Sequence, residues 1–186
     1  MKKLLVLTIC ILAMALAATA QTQIDFSQLP LVKVPAPMPS GYFGLNWSNM
    51  FYVAPGWSGG GPGYKDGLAN QDVVFVGSSA CNHLPPSLHH SCSGTISVPS
   101  FTGKLGGLVA FQALSASVAA GYSQTSFTVL AYRSGTYVGT SFYTIGTGLQ
   151  TIQFPASWGD ITELTFQTQG EGDLVLYSLD AELILQ

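Results

Sequence analysis

Between Ser126 and Ile145 the chain alternates in a way that only extended backbone can use. Phe127, Val129 and Ala131 fall on one side, with Thr128, Leu130 and Tyr132 on the other. That is the period of a β-strand. Ser134-Gly135 interrupts it as a tight turn, and Tyr137 to Ile145 returns as a second strand, so the segment reads as a hairpin. A hairpin with one apolar face must cover that face with another layer. Further short strands are expected at Ile24-Asp25-Phe26, from Gln71 to Gly77, over Thr95 to Val98, over Leu149 to Phe154 and over Ile161 to Thr168. Asp173 to Leu185 completes the set, with Leu174, Leu176, Ser178 and Asp180 on one side. Phe111 to Val118 reads as one more strand, a helix within Gly106 to Ala120 being the alternative. Gly106-Gly107 and small residues mixed with Ser would start that helix badly. Nine to eleven such strands with Gly-rich punctuation, and no long repeat, describe an all-β two-sheet sandwich or jelly roll.

The stretch Gly41 to Val53 packs five aromatic rings and two Asn into thirteen residues without a charge. Such a run is either core or a gripping surface. For Trp47, Phe43 and Phe51 core is expected, because a sandwich needs large residues between its sheets. Ala54 to Gly63 follows as a Gly/Pro loop that no regular element could hold. Trp57 lies among its glycines, where a core position is hard to build, and is expected to meet a ligand. Gly56-Trp57-Ser58-Gly59-Gly60 matches the spacing of a hydrolase nucleophile elbow. That elbow needs a strand before it and a helix after it. Pro55 before and Gly61-Pro62-Gly63 after make the match a chance one.

The first twenty residues have the pattern of a secretory signal peptide: Lys2-Lys3, an apolar run from Leu4 to Ala17, then Ala18-Thr19-Ala20. Cleavage is expected after Ala20. Residues 21–40 form a Pro-rich lead-in that hugs a sheet edge, since Pro30, Pro35, Pro37 and Pro39 bar a central strand. Residues 41–186 are the sandwich domain. Without Lys2 and Lys3, four basic side chains face nine acidic ones, a net charge of −5. That balance excludes nucleic acid as a partner, and no second long apolar run supports membrane insertion after cleavage. A surface of Ser, Thr, Gln, Asn, Gly and Tyr suits neutral polar partners. In the oxidising compartment a signal peptide implies, Cys81 and Cys92 are expected to form a disulfide. His83, His89 and His90 lie between them. They read as solvated loop residues or as a surface metal site. With both thiols free, the set would suffice for zinc.

Two sets of motifs resemble a family. Near the N-terminus stand Ile24-Asp25-Phe26 and Gly41-Tyr42-x-Gly44-Leu45-x-Trp47-x-Asn49-x-Phe51-Tyr52. Near the C-terminus stand Ile161-Thr162-Glu163-Leu164-Thr165-Phe166 and Leu176-Tyr177-Ser178-Leu179-Asp180-Ala181-Glu182-Leu183. The chain resembles a group of secreted fungal and bacterial proteins built of one jelly-roll domain, with a DF strand first, a GYxGLxWxNF segment and an LDxL strand last. By architecture that group is similar to the carbohydrate-binding jelly-roll modules. The Cys81 to Cys92 loop with its histidines is not part of the pattern. In many jelly rolls the first and last strands are neighbours, so the resemblance implies that Asp25 and Asp180 could share a structural calcium. No other cofactor is expected.

The leading functional expectation is a secreted, monomeric, non-catalytic module outside the cell or on its wall. Its partner would be a neutral polysaccharide or a glycoprotein glycan. Trp57, Tyr64, Tyr42 and Tyr52 would stack on sugar rings and Asn49 would bond hydroxyls. The alternative is a secreted cell-surface interaction protein or effector with a protein partner. Glycoside hydrolysis needs two carboxylates facing across a cleft. Glu163, Glu171, Asp173 and Glu182 offer no pair that spacing singles out. Asn46-Trp47-Ser48 is a glycosylation sequon.

Overall fold

The computed structural model describes residues 19–55, 57, 60–65, 73–77, 93–99, 107–169 and 172–185. The Cys81–Cys92 loop, its three histidines, most of the expected signal peptide and Glu171 lie outside the described residues. Twelve strands occur among the described ones: β1 (Thr19–Asp25), β2 (Ala36–Pro37), β3 (Asn46–Ser48), β4 (Phe51–Val53), β5 (Val73–Gly77), β6 (Ser93–Ser97), β7 (Leu108–Ala120), β8 (Thr125–Arg133), β9 (Thr136–Ile145), β10 (Gln150–Gln153), β11 (Glu163–Thr168) and β12 (Asp173–Leu185). They form two antiparallel sheets. The larger runs β10-β7-β12-β5-β4-β2, with β1 also paired to β12, and the smaller runs β3-β6-β11-β8-β9. The fold is an all-β two-sheet sandwich of jelly-roll type. Among the described residues no helix is long and apolar enough to cross a membrane.

Local alternation explains most of this. In β8, Phe127, Val129 and Ala131 are fully buried while Thr128, Leu130 and Tyr132 face outward. Ser134 and Gly135 both have positive φ, 48° and 78°, as the two-residue turn of a right-twisted hairpin requires. β7 is a strand from Leu108 to Ala120, not a helix. Its small residues are used: Ala113, Ala116 and Ala120 face the core, where the large side chains come from the opposite sheet.

β7 and β12, thirteen residues each, form the spine of the larger sheet. β12 is long enough to take two partners end to end on one side, β5 along Asp173–Leu176 and β1 along Asp180 and its neighbours. Its phase breaks between the two. The register with β7 shifts between Leu176 and Ser178, so Tyr177 is an inserted residue. Leu174 and Leu176 point into the core, and after the bulge Leu179 and Ala181 do. The expected single face of Leu174, Leu176, Ser178 and Asp180 is therefore corrected: the bulge moves the last two to the outer face.

The aromatic stretch 41–53 is a corner. A tight turn at Tyr42–Gly44 leads into β3 of the smaller sheet, and β4 then joins the larger. The crossing is made at Asn49, whose φ of 55° suits Asn better than most residues. Trp47 and Tyr52 sit in the core with Phe26, Phe127, Phe154, Trp158 and Phe166. Each fully buried ring of this kind stabilises the fold by roughly 1.5–3 kcal/mol. The lead-in belongs to the sheet at both ends: β1 pairs with β12, and β2 pairs with β4 at the edge.

The turn makes a direct test of the hairpin. A Cβ added at Gly135 would meet nothing within 4 Å, so only backbone strain is at stake. Gly135→Ala should lower the unfolding free energy by about 1–2 kcal/mol, and Ser134→Asn should raise it by roughly a few tenths, both read from urea titration.

Candidate functional site

The loop after β4 folds back onto the outer face of the larger sheet and builds a second, smaller core there. Phe51, Val53, Val73, Phe75, Ala119, Val175 and Tyr177 form its floor, and Tyr64 closes it. The bulge supplies Tyr177, whose hydroxyl donates to the Gly63 carbonyl. Tyr64 is fully buried. Its hydroxyl donates to Oδ2 of Asp173, also fully buried, at 2.8 Å. Gly63 N–H donates to the Gly121 carbonyl at 3.0 Å, and Gly121 N–H to the Asp173 carbonyl at 2.9 Å. These glycines serve contact, not flexibility. A Cβ on Gly63 would lie 1.9 Å from the Ala120 oxygen, and one on Gly121 2.8 Å from the Tyr64 ring.

That packing sets where the rings expected to form a sugar platform lie. Trp57 is half-buried, stacked on Phe75 with centroids 6.1 Å apart and planes at 20°, and edge-on to Tyr64 at 5.7 Å. Tyr64 has no free ring face. Tyr52 lies in the core between the sheets, on the other side of the larger sheet from Tyr64. Tyr42 is half-buried and spends its hydroxyl on the Asp25 carbonyl at 2.6 Å. Asn49 is exposed at the corner, apart from all of them. The residues therefore share no face, because the sandwich and its outer cap both consume large rings.

The remaining candidates separate similarly. β1 and β12 are neighbours, with Gln23 opposite Asp180 and Asp25 opposite Ser178, so the two aspartates share the outer face diagonally. Each is engaged by hydroxyls: Asp25 accepts from Ser27 Oγ at 2.6 Å, and Asp180 from Ser115 Oγ at 2.6 Å. Among the described residues no group of three or more His, Cys, Asp or Glu could hold a metal. Asn46 stands on edge strand β3 opposite Ser97, half-exposed. Of the described carboxylates weighed for hydrolysis, Asp173 is buried. Glu163 lies on β11 of the smaller sheet and Glu182 on β12 of the larger.

The outer core does present one ring to solvent. Tyr122, in the turn from β7 to β8, packs edge-on against Tyr64 at 5.9 Å and keeps 44% of its surface exposed. With Ser123, Gln124, Thr125, Ser126, Gln169 and Gly172 it lines a cavity of about 620 Å³. None of these is charged. Thr125 Oγ1 is turned back to the Ser123 carbonyl at 3.3 Å, and Ser126 Oγ shares a hydrogen bond of 2.9 Å with Thr144 Oγ1. The backbone approaches closely here too: a Cβ on Gly172 would lie 2.6 Å from Thr125 Oγ1. Amides and hydroxyls both donate and accept, so the lining can serve a ligand with many hydroxyls in either sense. Sequence reasoning missed this site. The criterion applied to Trp57, a lone ring in an uncharged loop, fits Gly121-Tyr122-Ser123-Gln124 as well.

No protein-family model matches the chain, and no curated protein does. Solved structures give distant likenesses. The chain is similar to a glycoside hydrolase family 43 arabinoxylan arabinofuranohydrolase from Bacillus subtilis in complex with cellotetraose, with 16% identity and a TM-score of 0.32, over 64% of this chain and 22% of that one. It is similar to the family 11 carbohydrate-binding module of the cellulosomal cellulase Lic26A-Cel5E of Clostridium thermocellum, with 12% identity and a TM-score of 0.37, over 91% of this chain and 96% of that one. It is also similar to the CBM22-1 and GH10 modules of a Clostridium thermocellum xylanase complexed with xylohexaose, with 10% identity and a TM-score of 0.36, over 89% of this chain and 28% of that one.

The Tyr64–Asp173 bond tests how the cap is held. Tyr64→Phe keeps the ring and removes the hydroxyl, so it should cost about 1–3 kcal/mol in urea unfolding, the penalty of a lost buried hydrogen bond.

Proposed function

We propose that the protein is a non-catalytic binding module for a neutral glycan, and that a sugar ring enters the cavity beside Tyr122. One observation carries the reading: a part-exposed aromatic ring lines a pocket whose other described residues offer only hydroxyl, amide and backbone groups. A pyranose has an apolar C–H face that packs on such a ring. Its rim of hydroxyls would be met by Ser123, Gln124, Ser126 and Gln169. Concave sites with a few placed polar groups are the usual form of small-ligand sites. The scarcity of charge in the whole chain, 8%, agrees with a neutral partner. Trp57 acts in this scheme from behind, by holding Tyr64 against which Tyr122 leans. The chain would be secreted by its first twenty residues and would act outside the cell, with a cell-wall polysaccharide as ligand and the Cys81–Cys92 bond formed there.

The test is retention on insoluble glucan, chitin and cellulose, with affinity electrophoresis on soluble neutral polysaccharides. Binding to at least one is expected, and Tyr122→Ala should weaken it about tenfold, near the worth of one aromatic contact. The variant should keep the wild-type melting profile, since the ring is half in solvent. Absence of binding across the panel, or binding unmoved by Tyr122→Ala, would overturn the assignment.

A further inference from the structure

Sheet edges carry unpaired backbone groups, and folded proteins blunt them with short strands, charges or proline. Four of the five edge strands among those described are guarded in this way. β2 has two residues, one of them Pro37; β3 has three and β10 four. β1 has seven and ends on Asp25. β9 is different: Thr136–Ile145 is ten residues long, with no charge and no proline. It borders the smaller sheet on one side only, against β8.

The ladder shows which groups face outward. Ser126 carbonyl accepts from Gln169 N–H at 2.9 Å, and Tyr132 carbonyl from Thr162 N–H at 2.9 Å. Even-numbered residues of β8 therefore spend their backbone groups toward β11. In an antiparallel ladder the alternate residues serve the other neighbour. The β9 residues opposite Ser126, Thr128 and Leu130 are Thr144, Phe142 and Thr140. Their N–H and C=O groups point away from β8. Among the described residues none of these groups has a hydrogen-bond partner. Along the same edge Phe142 is 59% and Tyr137 54% exposed.

We infer that β9 pairs antiparallel with β9 of a second copy of this chain, about a two-fold axis at Phe142. The sequence is self-complementary in that register. Phe142 meets Phe142 of the other copy, and Thr140 meets Thr144 in both directions. Ring pairs and Thr–Thr pairs are favourable cross-strand neighbours. The absence of charge fits an isologous contact, in which a charge close to the axis meets its own copy. About six backbone hydrogen bonds would form, two at each directly bonded pair. The two five-stranded sheets would then continue into one. This departs from the monomer expected on sequence, and it does not depend on the glycan reading.

Sedimentation velocity of the mature protein over a range of concentrations tests it. A dimer is expected for the wild type. Phe142→Lys places two ammonium groups at the axis. Thr140→Pro removes one outward N–H at an edge position where proline is tolerated. Each should raise the dimer dissociation constant by about tenfold or more, with the thermal unfolding of the monomer retained. Tyr122→Ala should dimerise as the wild type does. If Thr140→Pro fails to fold, Phe142→Lys decides alone. A wild type that stays monomeric throughout, or a folded Phe142→Lys that dimerises as tightly as the wild type, would overturn the inference.

Discussion

The antiparallel pairing of β7 with β12 holds the molecule together. Every other strand of the larger sheet is attached through it. β10 lies on β7, β1 and β5 lie in tandem on β12, and β4 and β2 follow β5. Thirteen residues per strand make this possible, and a plain ladder of that length would be too regular for what the sheet must do. The inserted Tyr177 resolves the conflict. It shifts the phase of β12 midway, so Leu174 and Leu176 at one end and Leu179 and Ala181 at the other all reach the same core. The extra residue is spent on the opposite face as the anchor of the Gly63 turn.

Two faces of one sheet are thus used differently. The inner face packs against the smaller sheet in the ordinary way. The outer face is divided. Near Val175 it is covered by the loop carrying Trp57 and Tyr64, and near Asp180 it is polar, formed by Ser117, the two aspartates and the buried Ser115 and Ser178. The buried Tyr64–Asp173 bond pins the cover at the other end, at the start of β12. It thereby sets the position of Tyr122, whose ring rests on Tyr64.

Much of the fold is legible in the sequence because alternation is local. β8, the Ser134-Gly135 turn and β9 can be read from neighbouring residues alone. So can the burial of Trp47, since a charge-free aromatic run has few other uses in a sandwich. The site was less legible, for a physical reason. Gly61 and Gly63 look like flexibility when read locally. Their purpose is steric, and the partners that impose it, Ala120 and Gly121, are distant in sequence. The same distance hid the fate of Trp57: nothing near it in the chain announces Phe75 beneath its ring. The phase break at Tyr177 also has no local mark, since either register leaves apolar residues on both sides of β12.

One feature of the pairing bears on how the domain would respond to tension. Thr19 lies opposite Ile184, so the described chain enters and leaves at the same point of the sheet. A pull applied through both flanks would act across the strands, not along them. The β1–β12 ladder would open pair by pair from that end, as a zip does, and each hydrogen bond would bear the load in turn. In a chain cleaved after Ala20 the zip starts two pairs further in, at Gln21 and Glu182, where β12 is held by β7 as well.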